Sequence, residues 1–173
     1  MPNYCYQSLK VISNNTEKSK SEYQKFKLEN LKDTEGDGIL RLTFSGITPM
    51  PDKIILSNKE KTIFKKLMGK ITKSDPDWYV WSYVNWGCKW DASTNKIKEE
   101  KGQLIIYYET AWVLPDPWLN KIADRYKHLD FELDFSEEGG FFDGDAITTR
   151  GEWEFNISEP AKWLEEVKEN EKK

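Results

Sequence analysis

Two short segments contain side chains that could bind a ligand or transfer a proton. Tryptophan rings can stack on a planar molecule, a lysine can hold an anion, and a carboxylate can act as a general acid or base. On an extended chain Lys89 and Asp91 would point to one face and Trp90 to the other. The sequence therefore predicts a cleft for a ligand or a partner, and the alternative is a tryptophan-rich core between sheet and helices. The predicted cleft residues are Trp86, Lys89, Trp90, Asp91, Glu109 and Trp112.

The second candidate surface is acidic. From residue 129 to residue 149 the chain has seven acidic residues and no lysine or arginine. Strict alternation over 129–135 predicts a strand with leucine and phenylalanine on one face and acids on the other. Such a face can be solvated and protect a sheet edge, or it can bind a basic protein. The predicted partner face comprises Asp130, Glu132, Asp134, Glu137 and Glu138.

The net charge of −4, from 26 basic and 30 acidic residues, conceals an asymmetry. Residues 1–101 hold 18 basic and 13 acidic residues, whereas residues 102–173 hold 8 basic and 17 acidic. The basic excess is concentrated in the segment 58–71, whose lysines predict a solvated helix face. The acidic balance disfavours nucleic acid as a partner.

The motifs of common enzyme classes are missing from the sequence. There is no phosphate-binding glycine loop and no Gly-x-Ser-x-Gly elbow, and His128 is the single histidine. We therefore predict no catalytic residue, no metal ligand and no cofactor, and an enzymatic activity is less favoured than binding. The start of the chain lacks a signal peptide and no segment could span a membrane, so we expect a cytoplasmic protein with Cys5 and Cys88 reduced.

Hydrophobic periodicity predicts an α+β domain. The predicted strands are 4–12, 39–44, 103–110, 129–135, about 140–147 and 151–157, and residues 93–102 are predicted to be a polar loop. The predicted helices are 19–31, 58–71 with Asn58 as N-cap, a short one from about 76, 115–127 and 159–170. We expect an antiparallel sheet with helices on one face and a split β-α-β topology. Residues 1–173 would form one domain, with a helical, Trp-rich insertion at about 46–90 and a C-terminal extension at about 140–173.

Several motifs are shared with a known family. They are the opening MPNYC at 1–5, the block NWGCKWD at 85–91, ETAW at 109–112 followed by Pro115, and LDF at 129–131. In these the sequence resembles the YubB-like or Api-ninety-two-like proteins of phages and conjugative plasmids. The resemblance implies a ferredoxin-like fold and residence on a mobile element, and it implies no activity and no catalytic residues.

The sequence and the resemblance together lead to two hypotheses about function. The first is a phage or plasmid accessory protein, active in the host bacterial cell, that binds and inhibits a host protein such as a nucleic-acid-binding defence nuclease. The acidic face or the Trp-rich segment would make the contact. The alternative is a small-molecule or nucleotide-binding protein, with or without catalysis, that uses the predicted cleft. Neither hypothesis involves a membrane.

Overall fold

The computed structural model describes residues 3–69, 77–149 and 151–158. The strands are β1 (Tyr4–Ser13), β2 (Leu31–Lys32), β3 (Arg41–Leu42), β4 (Ser93–Glu100), β5 (Gln103–Ala111), β6 (Leu129–Glu137), β7 (Asp143–Thr149) and β8 (Glu152–Ser158). The helices are α1 (Glu17–Asn30), α2 (Asn58–Met68), α3 (Asp77–Asn85) and α4 (Asp116–Arg125), with a short 3₁₀ turn at Phe44–Gly46.

Six strands form one antiparallel sheet in the order β4-β5-β1-β6-β7-β8. The first strand is central, because Leu9 pairs with Ile106 of β5 on one side and with Leu133 of β6 on the other. Two β-α-β units interlock in this sheet: β1 and β4 flank β5, and β5 and β6 flank β1. The predicted α+β class and split β-α-β topology are confirmed.

Both long helices of this motif cover the same face of the sheet. Helix α1 begins where the Thr16 hydroxyl accepts a hydrogen bond from the Ser19 amide, and it buries Phe26. Helix α4 buries Trp118 in the same core as Leu9 of the central strand. Alternate residues of β1 are buried there, while Tyr6 on the opposite face is 45% exposed. The sheet therefore has a helix-covered face and a second face that no described helix covers, which we call the open face.

The prediction of a strand over 39–44 is largely wrong. Only Arg41–Leu42 is extended, and it pairs with Leu31–Lys32 in a separate two-stranded sheet. After it the chain turns, because the Thr43 hydroxyl accepts a hydrogen bond from the Ser45 amide. The true second strand of the split β-α-β motif is β4, which follows the long insertion after α1.

The prediction of a polar loop over 93–102 is also wrong, because most of it is β4. This strand lies at the edge of the sheet and pairs only with β5 among the described strands. Ile97 packs on the core, while Lys96 and Lys98 are exposed. An edge strand needs few apolar residues, since water reaches its open side, and its hydrophobic pattern is correspondingly weak.

The insertion contains the basic helix and the aromatic helix. Ser57, not Asn58, is the N-cap of α2, and it forms a reciprocal capping box with Glu60. The predicted end of this helix at residue 71 and the predicted helix 159–170 lie outside the described residues. Among the helices that are described, none is long and apolar enough to cross a lipid bilayer.

Candidate functional site

A tight turn attaches the aromatic segment to the core. Helix α3 ends at Asn85, and Gly87 follows with a φ of 94°, in the left-handed region. A Cβ at Gly87 would lie 2.5 Å from Pro117 Cδ and 2.9 Å from the Asp116 nitrogen. The segment after α3 is therefore pressed against the start of α4, and only glycine suits this position.

Two of the predicted cleft residues anchor the segment instead of facing solvent. The Trp86 side chain is buried, and its indole N–H donates to the Thr48 carbonyl oxygen at 2.8 Å. The Asp91 carboxylate accepts hydrogen bonds from the Phe44 amide and the Thr43 hydroxyl, each at 2.6 Å. These bonds hold the 3₁₀ turn of the insertion against the segment, which is a structural role.

Three of the predicted residues come together in a surface that we call the tryptophan platform: Lys89, Trp90 and Trp112. The Lys89 ammonium lies 4.3 Å from the ring centroid of Trp90, 5.7 Å from that of Trp112 and 5.6 Å from that of Tyr79. The two indole planes are 24° apart, with centroids separated by 6.1 Å. Trp90 is 44% exposed and Trp112 is 38% exposed. Rings and cation are thus arranged together at the surface.

The sixth predicted residue lies elsewhere. Glu109 is directly opposite Tyr6 on the open face of the sheet, and Asn95 donates to its carboxylate at 3.4 Å. The structure therefore groups Lys89, Trp90 and Trp112, and it separates them from the carboxylates of Asp91 and Glu109. The platform can stack and attract an anion, but it has no acid or base among the predicted residues.

The predicted acidic face divides in a similar way. Asp130, Glu132 and Asp134 point to the open face, where the Lys10 ammonium donates a hydrogen bond to Glu132 that raises the lysine pKa. Glu137 is only 4% exposed and accepts a hydrogen bond from the Phe141 amide. Glu138 is exposed and accepts from the Tyr4 amide at 3.1 Å.

The sequence analysis missed how far this face extends. The hairpin β7–β8 pairs with β6 and adds four exposed acids in register. Asp145 lies directly opposite Asp134, and Glu152 pairs with Thr149 at the far end. The complete acidic sheet face comprises Asp130, Glu132, Asp134, Asp143, Asp145, Glu152 and Glu154. If the predicted strands 129–135, about 140–147 and 151–157 had been paired in one sheet, these additional acids would have been placed beside β6.

Two tyrosines next to this face were also missed. A depression of about 560 Å³ on the open face is lined by Tyr6, Tyr107 and the carboxylates of Asp134 and Asp145. The negative charge of Glu138 is the main cause that raises the Tyr6 pKa, so this phenol stays protonated and can donate a hydrogen bond. The alternation of β1 and β5 would have placed both rings on the open face.

Groups for catalysis are not assembled in the described residues. Burial, followed by the charge of Glu137, raises the Cys5 pKa to about 12, and burial also raises the Cys88 pKa, so neither thiol is a thiolate at neutral pH. His128 contacts Glu22 at an exposed loop, at 2.7 Å. No set of three histidine, cysteine or acidic side chains in the described ranges could hold a metal ion.

Comparison with protein families locates a match in the second half of the chain. Residues 89–173 match the model of the ferredoxin-like domain in Api92-like protein. Residues 89–173 are thus similar to this ferredoxin-like domain. The match agrees with the motif resemblance and with the sheet order, and no function is assigned with it. Comparisons with curated proteins and with solved structures gave no match.

The matched range contains both candidate surfaces but not the whole sheet. The matched range begins at Lys89 and includes the platform residues Trp90 and Trp112, as well as β6, β7 and β8. The central strand β1 and helix α1 lie before it, separated by the insertion. The complete sheet therefore includes β1 (Tyr4–Ser13) as well as strands of the matched range.

Proposed function

We propose that this protein acts by binding, and that its acidic sheet face docks the basic surface of a protein partner. The strands β6, β7 and β8 present this face as one continuous surface, and none of the described helices lies over it. A sheet face that is rigid and preformed loses little conformational entropy when a partner binds.

The observation that carries the proposal is the direct pairing of Asp134 with Asp145 across two strands. Like charges at opposed positions destabilise a sheet. Lys10 lies opposite Glu132, two positions along β6 from Asp134, and it already forms an ion pair with Glu132. A basic partner relieves the remaining repulsion among these carboxylates when it binds. The negative potential of the acidic sheet face also increases the rate of association.

The depression beside Asp134 and Asp145 favours arginine as the side chain recognised. A guanidinium can bond to carboxylates with its planar fork and stack on a tyrosine ring. Tyr6 and Tyr107 supply the rings in the same depression. Basic, arginine-rich surfaces are typical of nucleic-acid-binding proteins. We therefore propose a nucleic-acid-binding protein of the host, such as a defence nuclease, as the partner to be inhibited, in keeping with the resemblance to phage and plasmid proteins.

The test reverses the charge at three positions of the acidic sheet face, and the melting temperature of the variant checks that it folds. The wild-type protein and the triple variant Asp130→Lys, Glu132→Lys, Asp134→Lys are used to capture proteins from a bacterial host lysate. We expect the wild type to retain a basic protein whose binding weakens as salt is raised, and the triple variant to lose it.

The matched control is the triple variant Glu17→Lys, Asp52→Lys, Asp124→Lys. These three acids are exposed outside the large sheet, so the control has the same net charge with the acidic sheet face unchanged. Retention of the partner by the control supports the proposal. Equal loss in both variants, or equal retention in both, would refute it, because the location of the charge would then be irrelevant.

A further inference from the structure

The tryptophan platform presents ring surface to solvent at a position where the backbone is strained. Trp112 has a φ of 65°, in the left-handed region that a bulky residue rarely adopts. Its amide donates to the Asn3 carbonyl oxygen at 2.9 Å, and the next amide, of Val113, donates back to Ala111. Strain of this kind persists only where the surroundings enforce it, and it is concentrated at functional sites.

The cation at this platform is available to a ligand. Among the described residues Lys89 forms no ion pair with a carboxylate, and its ammonium is instead held over aromatic rings. Asp91, two residues away, uses its carboxylate for the Phe44 amide and the Thr43 hydroxyl. An anion can therefore bind Lys89 without breaking an ion pair to any residue that the structure describes.

Helix α2 packs on Tyr79 beside the platform and carries further cations. Tyr79, which lies next to Lys89, belongs to α3, and Phe64 of α2 packs on Tyr79 with centroids 5.7 Å apart. The exposed side of α2 carries several lysines. These are Lys59, Lys61, Lys65 and Lys66. Lys89 therefore attracts a negative ligand to the platform, whereas the acidic sheet face repels one.

We propose that the tryptophan platform binds a nucleoside phosphate, with the base stacked on the exposed indoles of Trp90 and Trp112 and the phosphate held by Lys89. Any base can stack on a tryptophan ring, and a purine has the largest ring area. A cationic ligand is disfavoured, because the Lys89 ammonium already lies over the Trp90 ring. This site is distinct from the acidic sheet face, and it does not depend on the function proposed above.

The experiment measures the binding of AMP by calorimetry, with adenosine, ribose 5-phosphate and a short oligoadenylate as comparison ligands. Adenosine lacks the phosphate and ribose 5-phosphate lacks the base, so we expect both to bind more weakly than AMP. If the oligoadenylate binds more tightly than AMP, the natural ligand is a nucleic-acid single strand. If AMP binds more tightly, the natural ligand is a free nucleotide.

Two variants remove the two halves of the platform. We expect Lys89→Met and Trp90→Leu each to raise the dissociation constant for AMP about tenfold, the size of one lost stacking or charge contact. Lys98→Met is the control for charge, because Lys98 also lies over a ring, 5.6 Å from Tyr107. Phe141→Leu is the control for an exposed aromatic ring. Both controls should bind AMP as the wild type does.

Folding is checked for each variant by its melting temperature, and Lys89→Met retains the aliphatic part of the side chain. Three results would overturn the proposal. The first is that neither AMP nor the oligoadenylate binds. The second is that the platform variants bind AMP as tightly as the controls, and the third is that ribose 5-phosphate binds as well as AMP. None of these results bears on partner capture by the acidic sheet face.

Discussion

A carboxylate or a tryptophan acquires its role from what surrounds it. Asp91 and Lys89 are neighbours in sequence with complementary charges, and the sequence alone suggests that they act together. In the structure Asp91 is bonded to the Thr43 hydroxyl and the Phe44 amide, while Lys89 lies over aromatic rings. Their separation shows that the type and spacing of residues indicate candidates, whereas hydrogen-bond partners decide the role.

Glu29 provides a prediction for acid stability. The Arg125 guanidinium, then the Tyr126 hydroxyl, bonds to this carboxylate and lowers its pKa to about 2. A carboxyl whose pKa is lowered by folding stabilises the protein above its unfolded pKa, and that contribution is lost as the pH falls through the folded pKa. We expect Glu29→Gln to lose about 1–2 kcal/mol of unfolding free energy at pH 7, since the group is partly exposed.

Denaturant unfolding at several pH values from 7 to 2 measures this effect. The difference between wild type and Glu29→Gln should be largest at pH 7 and should shrink from about pH 4.5 towards pH 2. The control is Glu17→Gln, at an exposed position on the same helix. A difference that stays constant over the whole pH range would contradict the assignment of the stabilisation to the ionised Glu29.

At the scale of elements, the connections between helices and strands determine where the platform lies. The turn at Gly87 directs the chain from α3 across the start of α4 and into β4. Local sequence patterns predict α3 and α4 individually, because an apolar stripe and a proline near a helix start are local signals. They do not predict that the turn between α3 and β4 touches Pro117.

The effect of Gly87→Ala is predicted from two separate costs. The φ of 94° disfavours any side chain, and a Cβ would also lie 2.5 Å from Pro117 Cδ. Gly36 has a φ of 73° but open space around its Cα, so Gly36→Ala has only the backbone cost. We expect Gly36→Ala to lower the unfolding free energy by about 1 kcal/mol and Gly87→Ala by about 3 kcal/mol or more, measured in urea. Equal losses would show that the contact with Pro117 relaxes without cost.

At the scale of the whole molecule, the sheet is assembled from both ends of the chain. Leu9 and Val11 of β1 are fully buried between β5 and β6, which follow them by about 90 residues or more. The family match at 89–173 therefore covers a set of strands whose central member lies outside it. A long separation in sequence between paired strands also makes such a fold slow to form.

This arrangement predicts that the matched range does not fold alone. A fragment of residues 89–173 would retain the hairpin β4–β5 and the strands β6 to β8, with no strand to join them. We expect it to lack the cooperative thermal transition of the full chain, as measured by circular dichroism. A cooperative transition in the isolated fragment would show that the β4–β5 hairpin can pair with β6 directly or that the matched range has a core of its own.

Sequence by itself determined the α+β class and most of the strands and helices, and it supplied the candidates for a binding site. Amphipathic periods and turn residues are local, and a local signal needs no knowledge of distant pairing. Only the tertiary structure decided that β4 is the second strand of the motif, that Glu137 is buried while Asp145 joins the acidic sheet face, and that Lys89, Trp90 and Trp112 meet. The reason is physical: an edge strand lacks an apolar pattern, and the face that a side chain occupies depends on partners far away in the chain.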